Sequence, residues 1–158
     1  MVVTRPSAPR ALRGFTTVEL MVVVCILAIL TAIAVPNMRG LIQTQRVKTA
    51  SFDVFSGLIL ARSEAIKRNT TVKLTPVGGD WAGGWTAADS NGNVVGKQDP
   101  FTQITLDGPG TVTFNSMGRL NGAATQFQVS TGELTNDKWR CVKLDLSGRP
   151  VSIVGACP

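Results

Sequence analysis

The chain has 158 residues, a formal charge of +6 and no histidine. Once its apolar N-terminal run is set aside, this length leaves room for one soluble domain of about 115 residues. The lack of histidine excludes histidine-based catalytic triads and the commonest zinc ligand. These totals favour a single anchored domain over an enzyme.

Part of the basic charge belongs to the first 14 residues. Arg5, Arg10 and Arg13 lie there without any acidic residue, so the rest of the chain has 13 basic and 10 acidic residues, a formal charge of +3. Basic residues ahead of an apolar run hold that end of a chain in the cytoplasm. The small remaining charge weakens any inference of nucleic-acid binding from the isoelectric point.

An apolar run follows, in which Leu20 to Met38 includes no charged residue over 19 positions. As a helix, this run would come close to the roughly 30 Å thickness of the hydrocarbon core of a bilayer. Glu19 precedes it directly, although a carboxylate costs on the order of 2.5 to 3.5 kcal/mol at the bilayer centre. The run predicts a membrane helix whose glutamate needs a partner.

Three interpretations fit this N-terminus. A secretory signal cleaved after Ala34 fits the triplet Ala32-Ile33-Ala34, and a plain uncleaved anchor fits the run alone, but neither gives Glu19 a role. A cut between Gly14 and Phe15 instead creates an ammonium group four residues before Glu19. That group can pair with the carboxylate within one helix or between staggered helices of neighbouring subunits.

The stretch GFTTVEL, residues 14–20, resembles the class III leader of type IV pilins and pseudopilins. The resemblance implies that a prepilin peptidase cuts after Gly14, that Phe15 becomes N-methylated, and that Glu19 is needed for assembly. Pro36 matches a proline that commonly kinks the helix in these filaments.

Further resemblance points to the GspH/FimT group of this family. The segment ARSEAIKRN at 61–69 is similar to the signature at the end of that group's long helix, and DWAGGW at 80–85 is similar to its tryptophan-glycine strand. Glycine-arginine turns within 113–122 and 146–157 also match. The resemblance covers nearly the whole chain.

Residues 39–69 are predicted to continue the helix, with Asn69 as its stop. Apolar residues recur there at helical spacing, and polar residues occupy the other side, so this half is amphipathic. The apolar positions are Phe52, Phe55, Leu58, Ile59, Ala65 and Ile66, and the polar ones are Gln45, Arg46, Lys48, Asp53, Arg62 and Lys67.

Beyond Asn69 the chain changes to short β-branched runs, namely TTVKLT, TVTFN, QFQVS, CVKLDL and PVSIV. Asn91-Gly92 predicts a tight turn, and Ser147-Gly148 predicts a hairpin that joins the last two strands. We predict an α+β fold in which a long helix packs on an antiparallel sheet. The family resemblance makes this a type IV pilin-like fold.

Cys141 and Cys157 lie in the polar half, sixteen residues apart, whereas Cys25 lies within the apolar run. The first two are predicted to form a disulfide, which requires an oxidising compartment. Two unpaired buried thiols are the alternative.

Other polar and aromatic residues have ordinary structural explanations. Trp81, Trp85 and Trp139 fit burial in a small core better than stacking on nucleobases. Glu64 is placed to pair with Arg68 at helical i,i+4 spacing. Scattered aspartates lack the ordered spacing of a calcium loop.

Lys138, Arg140, Lys143 and Arg149 place positive charge near the C-terminal hairpin. A solvated sheet edge guarded by charges explains them, and contact with DNA phosphates is the alternative. Some FimT-type proteins contact DNA through a Gly-Arg-x-Arg motif. This chain has Gly148-Arg149-Pro150-Val151 and lacks the second arginine.

We therefore expect a non-enzymatic filament subunit without cofactor or metal ion. Its expected parts are a cleaved leader at 1–14, a transmembrane and assembly helix at 15–38, the amphipathic helix at 39–69, and a periplasmic β-rich domain at 70–158. The implied partners are other minor and major pilins or pseudopilins, the prepilin peptidase and inner-membrane lipid. A minor pilin in the initiating or tip complex of a type IV pilus is favoured. The alternatives are a type II secretion pseudopilin of the H type and a minor pilin that binds DNA.

Overall fold

The computed structural model describes residues 14–132, 135 and 138–158, except for the side chains of residues 34–37. Within these residues one α-helix, α1 (Thr17–Lys67), is followed by eight strands. The strands are β1 (Val72–Val77), β2 (Asp80–Asp89), β3 (Val94–Gln98), β4 (Thr105–Asp107), β5 (Val112–Phe114), β6 (Thr125–Ser130), β7 (Arg140–Leu144) and β8 (Pro150–Val154).

The chain divides into two compact units, Met1–Met38 and Arg39–Pro158. In the first unit the large apolar side chains of the described part of α1 are exposed. Among the described residues no single helix has both the length and the hydropathy of a membrane span; Thr17–Ile33 and Met38–Lys67 meet that requirement only together, as a bent pair.

The second unit contains two four-stranded antiparallel sheets. One has the strand order β3-β2-β1-β5 and the other the order β4-β6-β7-β8. The prediction of an α+β fold with a long helix on antiparallel sheet is confirmed, and the strands divide into two sheets. The chain alternates between the sheets through β4 and β5, two strands of three residues each that are too short to give a clear alternating pattern.

The C-terminal end of α1 is closed by a Schellman motif. Asn69 has a φ of 49°, a left-handed conformation that asparagine tolerates better than most residues. The Thr70 N–H donates to the Ala65 carbonyl at 3.0 Å, and the Asn69 N–H donates to the Ile66 carbonyl at 3.1 Å. The predicted helix stop at Asn69 is confirmed.

The predicted apolar face of α1 is confirmed only in part, because Leu58 and Ala65 are buried and Phe55 packs against the core. Small and medium side chains fill the face that packs into the core, and the larger Phe52, Ile59 and Ile66 stay exposed. Small side chains let the helix axis approach the sheets closely, which brings Trp85 against Gly57. The buried helix positions are Val47, Ala50, Val54, Leu58, Ala61 and Ala65.

Both predicted turns are present. Asn91-Gly92 lies in the connection from β2 to β3, where the Asp89 carboxylate accepts hydrogen bonds from the Asn91 and Asn93 amides at 2.9 Å each. Ser147-Gly148 joins β7 to β8, and the Gly148 N–H donates to the Asp145 carbonyl at 2.9 Å.

Candidate functional site

The residues around the predicted cleavage bond lie just ahead of α1. Gly14 and Phe15 are exposed, and Phe15 keeps 78% of its surface accessible. The Thr16 side chain accepts a hydrogen bond from the Glu19 N–H at 3.2 Å, and the Thr16 carbonyl accepts one from the Leu20 N–H at 3.1 Å. Thr16 is therefore the N-cap residue of the helix.

Sequence reasoning missed this cap, although the pattern was available. Thr16-Thr17-Val18-Glu19 has the Thr-x-x-Glu spacing of a capping box, which places the glutamate at the third helical position. A carboxylate in the first turn is also stabilised by the helix dipole. Glu19 thus has a local reason to stand at the helix start, in addition to any role in assembly.

The Glu19 side chain is exposed, and no described cation forms an ion pair with it within this chain. An ammonium partner from a neighbouring subunit is compatible with that exposure. The predicted kink at Pro36 falls on a side chain outside the described set, and so does the basic leader over residues 1–13.

The predicted disulfide is present. Cys141 on β7 and Cys157 beyond β8 are bonded, with Cα atoms 5.1 Å apart, and Cys25 is free and exposed. The Gln128 side chain adds a second connection, because its oxygen accepts the Cys157 N–H at 2.5 Å while its amide donates to the Arg140 carbonyl. Both interactions tie the C-terminal tail to the second sheet.

Trp81 and Trp85 belong to the core, which confirms their structural interpretation. Trp81 meets Phe127 edge-on with ring centroids 4.9 Å apart, and its Nε1–H donates to the Pro109 carbonyl at 2.5 Å. Gly84 has a φ of 89° and lies so close to the Gln98 carbonyl that a Cβ would collide with it. The paired glycines of this strand therefore serve packing.

The predicted basic residues share one surface only in part, since Arg140 and Arg149 border neighbouring clefts that both include Phe55. Arg140 and Lys143 are three positions apart on β7, so strand alternation points them to opposite faces. Arg140 borders a cleft beside Phe52, and Arg149 borders another beside Ile59. Lys138 is exposed ahead of β7. DNA contact by these residues stays a prediction.

The predicted Glu64–Arg68 ion pair is confirmed, with an N–O distance of 2.6 Å. Lys67 lies 3.2 Å from the same carboxylate. These partners, Arg68 first, lower the pKa of Glu64 from its usual value. The pair stabilises the last turn of α1.

A long N-terminal helix with an apolar first half, packed through its second half on antiparallel sheets, defines the class of type IV pilin-like filament subunits. The chain belongs to the family described as type II transport protein GspH, whose family model matches residues 51–148. Its membership of the GspH/FimT type confirms the resemblance found in the sequence. The family is one of structural pilin subunits.

The chain is similar to a curated fimbrial protein of Pseudomonas aeruginosa, with 30% identity over 155 residues, 94% of this chain and 98% of that protein. Two solved structures share its fold. The type IV minor pilin FimU of P. aeruginosa matches with a TM-score of 0.61 and 20% identity over 72% of this chain and 90% of that one. The minor pseudopilin EpsH of the Vibrio cholerae type 2 secretion system matches with a TM-score of 0.54 and 13% identity over 69% and 97%.

Proposed function

We propose that the chain is a minor pilin of a type IV pilus and that a prepilin peptidase cuts it between Gly14 and Phe15. The observation that carries the proposal is an accessible Gly14-Phe15 bond ahead of a capped apolar helix. Phe15 is 78% exposed, and nothing lies within 4 Å of the position where Gly14 would carry a Cβ. The 30% sequence identity with a fimbrial protein favours a pilus over a secretion system.

In this proposal residues 15–38 insert into the inner membrane and the second unit lies in the periplasm. The arginines of the leader hold residues 1–14 on the cytoplasmic side. The Cys141–Cys157 disulfide supports an oxidising compartment for the folded unit, because such bonds rarely persist in the cytosol.

Cutting creates a cation for Glu19, which has no ion pair with any residue in the described part of the chain. The new N-terminal amine of Phe15 receives one methyl group, stays protonated, and pairs with the Glu19 carboxylate of an adjacent subunit. Apolar helix faces then pack against other minor and major pilins, and the subunit joins the initiating or tip complex.

Intact-mass measurement of the membrane-extracted protein tests the processing step. The mature chain should lack residues 1–14 and carry one added methyl group, because the peptidase acts at Gly14-Phe15. Gly14→Val serves as a blocked control that keeps the full-length mass. A mature chain that begins after Ala34 would contradict the pilin proposal and restore an ordinary secretory signal.

A pseudopilin of a type II secretion system is the second candidate, favoured by the family model and by the fold of EpsH. Deleting the gene separates the two candidates. We expect lost or shortened pili with normal secretion, whereas normal pili with impaired secretion would transfer the proposal to the secretion system.

A further inference from the structure

A cleft of about 600 Å³ lies at the N-terminal end of the second unit. The first helical turns of that unit form one wall, and segments that follow β3 and β6 form the other. Its lining combines two arginines, Arg39 and Arg46, with the apolar side chains Ile42 and Ile104. The mixture of cationic and apolar groups is typical of a site for an amphipathic anion.

The two arginines are available for a ligand. They are seven residues apart on α1, which places them on one helix face. Arg39 has no hydrogen bond or ion pair with any described residue, and Arg46 donates from Nη1 to the neutral Gln103 side chain. No described residue of the lining is acidic. The positive charge of this cleft is therefore not neutralised by its described walls.

An independent observation comes from another residue of the lining. Thr131 lines the cleft just beyond β6. Only 6% of its surface is exposed, and its side-chain oxygen has no hydrogen-bond partner. A buried hydroxyl in a folded protein is almost always paired. The Thr131 oxygen is enclosed in this structure, so its O–H would donate to an anion in the cleft only after the lining shifts, whereas the guanidinium groups of Arg39 and Arg46 can donate to such an anion directly.

We propose that this cleft binds the phosphodiester of an anionic phospholipid. Arg39 follows the uncharged run 20–38 directly, and Arg46 is eight positions beyond Met38, about 12 Å along a helix. Because Cα–Cβ bonds in a helix tilt toward its N-terminus, the long side chain of a helical arginine can reach back by several ångströms along the helix. The headgroup layer extends roughly 5 to 8 Å beyond the hydrocarbon on each side. The identification of a membrane lipid as the source of the phosphate rests on the membrane insertion proposed above.

The test uses the full chain in maltoside micelles, titrated with dihexanoyl phosphatidylglycerol and, separately, with inorganic phosphate, and read by native mass spectrometry. We expect one short-chain lipid per chain, bound at least about tenfold more tightly than phosphate, because Ile42 and Ile104 add apolar contact. Arg39→Gln with Arg46→Gln should weaken lipid binding by about tenfold or more.

Matched variants separate the site from general electrostatics. Lys73→Gln with Lys97→Gln removes the same charge from exposed positions outside the cleft and should leave lipid affinity within about twofold. Thr131→Val should weaken binding by about threefold without lowering the thermal midpoint of the ligand-free chain, because the lost hydroxyl has no partner there.

Three results would overturn the proposal. The first is that the arginine and lysine double variants weaken lipid binding equally. The second is that inorganic phosphate and the lipid bind with equal affinity. The third is that duplex DNA displaces the lipid at matched phosphate concentration. Because the titration is made in detergent, it is independent of membrane insertion. Carbonate extraction of cell membranes tests insertion separately. Release of the chain by carbonate would refute the membrane segment but would leave an anion site in the cleft.

Discussion

Glu19 stabilises the start of α1 in the structure, and the proposed function adds a second role in assembly. Its position three residues after the Thr16 cap and its charge near the positive end of the helix both stabilise the first turn. Its exposed carboxylate also fits an ammonium partner from another subunit. A glutamine in its place keeps the capping spacing and removes the charge, so it separates the cap from the two effects that need a carboxylate, the interaction with the helix dipole and the intersubunit pair.

We predict that Glu19→Ala and Glu19→Gln both leave the chain in the membrane and both abolish filament incorporation, because the intersubunit pair needs the charge. Thr16→Ala should cost roughly 0.5 to 2 kcal/mol of helix stability but still assemble. Immunoblotting of sheared filaments and of membranes measures both outcomes. Normal incorporation of Glu19→Gln would show that Glu19 acts through the helix cap.

Gly57 shows how one missing Cβ sets the packing of the helix. A Cβ at this position would approach the Trp85 ring at 2.9 Å, whereas one at Gly40 would have nothing within 4 Å. Both glycines weaken an isolated helix by a similar amount. Only their tertiary surroundings differ.

Gly57→Ala is expected to destabilise the second unit by about 1 to 3 kcal/mol, because Trp85 is held in the core by Trp81 and Phe101. Gly40→Ala is the matched control and should stabilise the helix by up to about 1 kcal/mol. Chemical unfolding followed by tryptophan fluorescence compares them. Equal effects of the two variants would contradict the close approach of Trp85 to the helix.

At the scale of elements, the β2–β3 connection is organised by one buried carboxylate. Besides the Asn91 and Asn93 amides, Asp89 receives the Asn93 side-chain amide and lies 3.4 Å from Arg68. The side-chain bonds from Asn93, followed by the backbone bonds and Arg68, hold the pKa of Asp89 below its usual 3.8. This turn therefore links the end of α1 to the edge of the first sheet.

The depressed pKa of Asp89 makes this turn sensitive to acid. Its stabilisation is fully present above about pH 4 and is lost as the pH falls through the folded-state pKa, since the unfolded chain then binds more protons. Asp89→Asn should be less stable than the parent at pH 7, and the difference should shrink below about pH 4. Thermal unfolding across this range measures it, with the exposed Asp107→Asn as control. A constant difference between pH 7 and pH 3 would refute the linkage.

At the scale of the whole molecule, the distribution of charge opposes a dedicated DNA surface on the C-terminal hairpin. The chain beyond residue 14 has a formal charge of only +3. Arg140 and Lys143 project from opposite faces of β7, and Arg149 lies beside Arg62 at the helix. Few phosphates can be contacted at once by this arrangement.

We predict weak binding of duplex DNA that is largely lost at physiological salt. A patch of three or four phosphate contacts would give a slope of about 3 in log affinity against log salt, and we expect a smaller slope here. Arg149→Ala should lower the affinity for DNA no more than the control variant Lys73→Ala does. Fluorescence anisotropy with a labelled duplex at several salt concentrations decides the matter, and tight binding abolished by Arg149→Ala would make DNA capture the leading function.

Local sequence determined the features that depend on neighbouring residues. The helix, its stop at Asn69, the Asn91-Gly92 turn and the final hairpin follow from periodicity and turn chemistry, which act within a few positions. Cys141 and Cys157 were also paired correctly, because one hairpin separates them. The leader motif at Gly14 and Glu19 is likewise local, so the candidate processing site needed no structure to be found.

Tertiary structure decided what depends on distant partners. β4 is three residues long and exists as a strand because β6 lies beside it, and β3 adds to β2 after a turn built on Asp89. Small residues fill the buried face of the helix because the sheets pack closely against it. One cleft brings together Arg39, Arg46 and Thr131, which are up to 92 positions apart in the sequence. Such groupings are fixed by close packing of side chains that no local pattern brings together.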